Sequence, residues 1–271
     1  FPALMTHRRL APSLLRLAVA GLFALPLLFM ALAAFRAVGQ SLAAFWPQPF
    51  TVENFGRLFA DLPISAFTLR SLLVVLVAVP LTVVTASWAG FGMARLPRPV
   101  ARRWVTFCLL ALMIPGVALW PARFLLYSRL GLAGSLWALV VPALAGGSPF
   151  FVLMFYRAFR RIPPAIYDTA RIDGAGVMVT WGRVALPIAR GTAIAVAVLA
   201  FVLFWGDFIS PLLYVAADRY TLPVGLKLLE QLARSDYPVL MAGALWATLA
   251  PLLLVLLGVG VAAAAERRFK T

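Results

Sequence analysis

Apolar residues gather in six runs of roughly 20 residues or more, near 14–35, 67–92, 104–127, 135–159, 191–215 and 239–265. That is the length an α-helix needs to cross the hydrocarbon core of a bilayer. The pattern predicts an all-α polytopic membrane protein with six transmembrane helices. Prolines and glycines inside the runs (Pro80, Pro115-Gly116, Pro142, Gly146-Gly147) fit membrane helices, where neighbours re-satisfy freed backbone groups. The first run follows Arg8, Arg9 and Arg16, as in a signal peptide. Its apolar stretch exceeds the usual 7–15 residues, and no small-x-small cleavage site follows, so it reads as a retained span.

Composition agrees with lipid as the solvent. The chain has 271 residues, 63% hydrophobic and 12% charged. A soluble domain of that make-up would expose large apolar patches. One cysteine, Cys108, rules out an internal disulfide and a multi-cysteine metal site, and one histidine, His7, makes histidine-dependent catalysis a poor expectation. The net charge of +15 does not point to nucleic acid, because the basic residues lie between apolar runs and are not interleaved with exposed aromatics.

Those basic residues set the orientation. With the N-terminus inside, one side carries Arg8, Arg9, Arg16, Arg95, Arg98, Arg102, Arg103, Arg157, Arg160, Arg161, Arg171, Arg183, Arg190, Arg267, Arg268 and Lys270, which is 16 of 24. The other side carries Arg36, Arg57, Arg70, Arg123, Arg129, Arg219, Lys227 and Arg234, which is 8. The bias predicts both termini in the cytoplasm. The organisation is then a cytoplasmic N-terminus (1–13), one transmembrane domain (14–265) containing a cytoplasmic loop at 160–190, and a cytoplasmic tail (266–271).

That loop holds the segment IYDTARIDGAGVMVTWGRVALP, residues 166–187. Pro163-Pro164 suits a helix start, with Asp168 near the positive end of its dipole. Ile166, Ala170 and Asp173 share a face at helical spacing, and Gly174 permits a sharp turn. A second amphipathic piece, Val177 to Val184, leads to Leu186-Pro187 and the fifth span. A linker needs few residues, whereas this is a shaped surface of more than twenty. It fits either a protein partner or an amphipathic helix lying on lipid headgroups.

The segment resembles the EAA coupling loop of ABC-importer permeases, through Ile162-Pro163, Ala170, Ile172-Asp173-Gly174-Ala175 and Leu186-Pro187. Asp168-Thr169-Ala170 stands where that family has Glu-Ala-Ala. TVENFGRLF (51–59), LMIPGVALWP (112–121), SRLGLAGSLWALVVP (128–142) and FWGDFISPLL (204–213) are similar, in order, to the second permease of maltose-type importers, although Ser71 stands where these usually have Asn.

The resemblance implies a type I importer permease with partners: a second, homologous permease, two copies of a cytoplasmic ATPase, an extracytoplasmic solute-binding protein and membrane lipid, with no nucleic acid. It implies that the chain is not an enzyme and sits in a bacterial or archaeal plasma membrane. ATP and Mg would belong to the ATPase subunits, with no cofactor in this chain, which has no G-x-x-x-x-G-K-[ST] phosphate loop. Asp168, Thr169, Ala170, Asp173, Gly174, Ala175, Leu186 and Pro187 would couple to the ATPase. Candidate solute-pathway residues are Trp205, Asp207, Ser210 and Trp120. Asp207 either serves the pathway or hydrogen-bonds within the bundle or to Ser210; it is the one acid inside a predicted span. Segment 216–238 would touch the binding protein or form an amphipathic helix at the outer surface.

Arg123 is expected to snorkel outward. With no arginine mid-span, the solute reads as a neutral di- or oligosaccharide or polyol. Glycerol-3-phosphate or its diesters is the alternative, since phosphate favours arginine. A secondary transporter is more remote, because no repeat with paired broken helices is visible.

Overall fold

The computed structural model describes residues 3–37, 39–40, 46–232 and 236–267, with side chains described from residue 19 onward to Leu254, and Leu256. Arg234, Arg268 and Lys270 lie outside these residues, as does the tail beyond 267. Thirteen helices follow one another: α1 Ala3–Ala34, α2 Glu53–Asp61, α3 Ile64–Arg95, α4 Arg98–Met113, α5 Gly116–Arg129, α6 Trp137–Leu144, α7 Pro149–Arg160, α8 Pro164–Ile172, α9 Val177–Ile188, α10 Arg190–Trp205, α11 Ile209–Tyr214, α12 Leu222–Leu232 and α13 Tyr237–Arg267. Among the described residues there is no strand beyond two isolated bridges.

The described chain has three helical stretches long and apolar enough to span a membrane: Ile64–Arg95, Trp137–Arg160 and Tyr237–Leu254. Two bent pairs raise the number to five, and Val19–Ala34 is a shorter apolar helix. The expected third span, 104–127, is therefore not one straight helix: α4 and α5 meet at 93°. Pro115 is the reason. Its ring pushes Ile114 into an extended conformation (φ −74°, ψ 119°) and it offers no N–H to continue the ladder. The expected fifth span, 191–215, also stops early, at Trp205, and resumes at Ile209. α9 meets α10 at 84°, so the turn into this span falls at Ala189, just past Leu186-Pro187.

The chain divides into two compact units. In the first (residues 1–64 and 225–249), Asn54 Nδ2 donates to the carbonyls of Ala34 and Arg36, at 2.8 and 2.7 Å, satisfying the open end of α1. Phe35 stacks on Phe50 with ring centroids 4.6 Å apart. Gly243 of α13 admits Leu226, Leu229 and Leu58 so closely that an added Cβ would lie 3.0 Å from the two nearer leucines. Arg57 of α2 forms an ion pair with Asp236.

The second unit (65–224 and 250–271) is built on the packing of α3 against α7. A Cβ on Gly90 would sit 2.7 Å from both Phe155 Cβ and the Tyr156 nitrogen, so only glycine lets these helices approach to backbone contact. Phe91, Phe151, Phe155, Phe159, Val196 and Ala200 form the buried centre of that core. Thr85 Oγ1 donates to the Ala143 carbonyl at 2.6 Å, fastening α3 to the end of α6. The break between α6 and α7 is made by Gly146 and Gly147 at φ +82° and +68°, and Ser148 Oγ then accepts the Phe150 N–H to start α7.

Candidate coupling loop and solute cavity

α8 begins at Pro164, with the extended Pro163 ahead of it. Tyr167 and Ala170 are its inward residues. The Tyr167 hydroxyl donates to the Phe159 carbonyl at 3.2 Å, its ring meets Phe91, and the Arg95 guanidinium lies over its face. Burial pushes the Tyr167 phenol above its usual pKa, against the lowering influence of Arg95. Two sequence expectations need correcting. On the face that Ile166, Ala170 and Asp173 share by spacing, only Ala170 is buried, because the turn that packs is centred on Tyr167, and Asp173 is already the C-cap. Asp168 lies beyond the first turn, which holds no acid, so it is not at the dipole's positive end.

The corner is a Schellman motif. The N–H of Ala175 bonds the Ala170 carbonyl (2.9 Å) and that of Gly174 bonds Arg171 (3.1 Å), with Gly174 at φ +76° and Asp173 as the C-cap. Nothing lies within 4 Å of where a Gly174 Cβ would be, so its requirement is conformational and not one of space. Thr169 faces solvent and donates to the Ala165 carbonyl at 2.9 Å. Its bulk meets nothing inside.

α9 carries a π-helical stretch over Thr180–Ala185, with the Leu186 N–H reaching back to Trp181. Pro187 explains it: in an α-helix its ring would strike the carbonyl four residues earlier, and a wider turn relieves that clash. Trp181 packs edge-on against Trp88 at 5.1 Å, tying α9 to α3. Leu186 is half-buried and Pro187 exposed. The outer side of the corner is apolar: Ile172 is 85% exposed, Val177 67% and Met178 64%. Ile172 and Val177 were legible within the loop from sequence, but the exposed apolar surface that they form with Met178 was not.

At the other end of the same unit, α5, α6, α10 and α11 surround a cavity of about 760 Å³. Asp207 and Ser210 line it, and Asp207 Oδ1 accepts the Ser210 N–H at 3.0 Å, capping α11. Of the two roles the sequence left open for Asp207, the hydrogen bond to Ser210 is made, and its side chain also lines the cavity. Trp205 and Trp120 do not line the cavity. Trp205 is buried and stacks on Phe201 at 5.5 Å, while Trp120 contributes only its carbonyl, which accepts the Tyr214 hydroxyl at 3.2 Å. Arg123, expected to snorkel outward, lines the cavity with Tyr127 and Tyr214. In segment 216–238, α12 buries Leu222, Val224 and Leu229, its first N–H bonds the Ser71 hydroxyl at 2.9 Å, and residues 233–235 lie outside the described chain. Among the described residues no group of three His, Cys, Asp or Glu side chains is placed to hold a metal.

Broken apolar helices around a cavity, with an exposed helical corner projecting from the packed core, define an α-helical membrane transport protein. A family model described as binding-protein-dependent transport system inner membrane component matches residues 82–271, and the chain belongs to that family. The diacetylchitobiose uptake permease of Streptomyces coelicolor is 30% identical over 236 residues, 85% of this chain and 78% of that protein. The lactose transport permease of Rhizobium radiobacter is 29% identical over 202 residues, covering 74% and 73%. The fold matches a crystal structure of a bacterial ABC transporter that imports the acidic polysaccharide alginate, with a TM-score of 0.73 and 17% identity over 92% of this chain and 95% of the other. The chain is an ABC-importer permease similar to the family's carbohydrate branch, a transport component and not an enzyme.

Proposed function

We propose that this chain is one of two permeases in an ATP-driven importer that takes up a di- or oligosaccharide, or a related polyol, handed over by an extracytoplasmic binding protein. The relatives that transport diacetylchitobiose and lactose support the substrate class. The chain crosses a bacterial plasma membrane six times with both termini inside, surrounded by lipid and with no role for nucleic acid. Of the two copies of an ATPase, with their ATP and Mg, one docks on the loop at 163–187 and the other on the second permease, and this chain binds no cofactor of its own. Asp168, Thr169, Ala170, Asp173, Gly174, Ala175, Leu186 and Pro187 form the coupling element. The pathway runs past Asp207 and Ser210.

One observation carries the reading: Ile172, Val177 and Met178 are exposed at the glycine corner between α8 and α9, and bare apolar surface there calls for a protein partner. ATPase closure moves that corner, and the packed helices follow as rigid bodies to open the opposite side. Co-purification of the tagged chain in mild detergent tests it. A complex of two different permeases with two ATPases is expected. A lone chain that transports without any ATPase overturns it.

A further inference from the structure

α10 has 16 residues from Arg190 to Trp205, about 24 Å of a hydrocarbon core about 30 Å thick. With Arg190 at the inner side, Asp207 stands near the outer end of its span. The cavity it lines is accordingly an outer vestibule, where water reaches and charged side chains are tolerated. Two opposite charges face this space. Asp207 has one carboxylate oxygen occupied by the Ser210 N–H. Arg123 is half-buried on the α5 wall, and no hydrogen bond or ion pair engages it among the described residues. A guanidinium has five N–H donors and no acceptor, so a partly desolvated one without a partner needs oxygen-rich company.

We infer that Arg123 is the specificity-determining residue of this vestibule and that the solute carries an anionic group, as in a sugar acid. This rests on the saccharide reading above and replaces its neutral solute with an acidic one. The carboxylate of the solute takes the guanidinium in a bidentate pair, and a neighbouring hydroxyl donates to the free oxygen of Asp207. Asp207 then serves as a second contact and repels any solute placed the wrong way round.

The same chemistry would accept a phosphate, so the test uses three probes on the purified permease–ATPase complex in lipid nanodiscs. They are α-1,4-digalacturonate, its neutral counterpart α-1,4-galactobiose, and glycerol-3-phosphate, with binding measured by calorimetry at two salt concentrations. The expected result is roughly tenfold tighter binding of digalacturonate than of galactobiose, a difference of about 1.4 kcal/mol. That preference should shrink at high salt, vanish in Arg123→Gln and survive in part in Arg123→Lys. A merely structural arginine would weaken all three probes alike. If glycerol-3-phosphate binds best and Arg123→Gln removes it, the anion site stands and the saccharide reading falls. If galactobiose binds at least as well as digalacturonate, and Arg123→Gln changes neither, the anion site falls while the saccharide reading stands. Binding of none of the three overturns the inference.

Discussion

The Arg95 guanidinium lies 4.7 Å from the centroid of the Tyr167 ring, joining the last turn of α3 to the middle of α8, the helix proposed to couple. The same guanidinium is 5.8 Å from the Phe91 ring, so one side chain bridges two aromatic faces. Such a contact is worth about 0.5–2 kcal/mol. It fixes the angle at which α8 leaves the core. We expect Arg95→Ala to lower solute-stimulated ATP hydrolysis several-fold while basal hydrolysis and membrane insertion are kept. Tyr167→Phe removes only the bond to the Phe159 carbonyl, about 1 kcal/mol, and should leave most of the stimulation. ATPase assays on the reconstituted complex, with and without loaded binding protein, compare the two. Equal stimulation in wild type and Arg95→Ala would show that the corner is held by something else.

Gly174 and Asp173 separate shape from charge at the same corner. A β-branched residue at φ +76° is strained whatever the room around it, so Gly174→Val should abolish coupling. Asn tolerates left-handed backbone, and Gly174→Asn should retain coupling. Asp173→Lys puts a cation at the C-terminal end of α8, which the helix dipole favours. Any loss of ATPase pull-down in that variant therefore reports a lost contact and not a misfolded helix. Full stimulated hydrolysis in both Gly174→Val and Asp173→Lys would reduce the loop to a membrane-surface helix.

Topology can be read with single cysteines. Cys108 is buried and unpaired, and Cys108→Ala supplies a blank background. A cysteine at exposed Asp173 should resist a membrane-impermeant maleimide added to intact cells, and one at exposed Asp218 should react. Labelling of the first from outside contradicts the proposed orientation.

Asp207 caps α11 as well as lining the cavity, so its substitutions should split. Asp207→Asn keeps a capping oxygen and removes the charge, leaving stability and basal hydrolysis unchanged while altering solute dependence. Asp207→Ala loses the cap too and should destabilise by about 1 kcal/mol. Thermal unfolding in detergent alongside uptake measurements resolves the pair. Equal thermal stability of the two variants would mean that the cap contributes nothing.

Local chemistry made parts of this architecture readable in advance. Pro163-Pro164 started a helix where expected, and Gly174 marked the corner because the left-handed turn there favours glycine. The directions of the helices were not readable. Pro80, Pro121, Pro142 and Pro251 all lie within helices, while Pro115 produces a 93° bend, and nothing in composition separates them. That Arg123 shares a cavity with Asp207 was not readable either, since it depends on how α5, α6, α10 and α11 come together. The partnership of Arg95 with Tyr167 was also hidden, being set by how α3 and α8 come together and not by local pattern.

Gly90 has a mechanical corollary. Where two helices touch backbone to backbone there is no layer of side chains to act as a bearing, so α3 and α7 cannot slide past one another. α3 runs on from Gly90 to Ser71 and its bond to Leu222, an arm of about 28 Å at 1.5 Å per residue. Pivoting that arm by a single degree moves Ser71 through about 0.5 Å. Small rotations forced on α7 thus become displacements of about half an ångström per degree where α3 meets Leu222, and the absence of one methyl group at residue 90 keeps that gearing free of play.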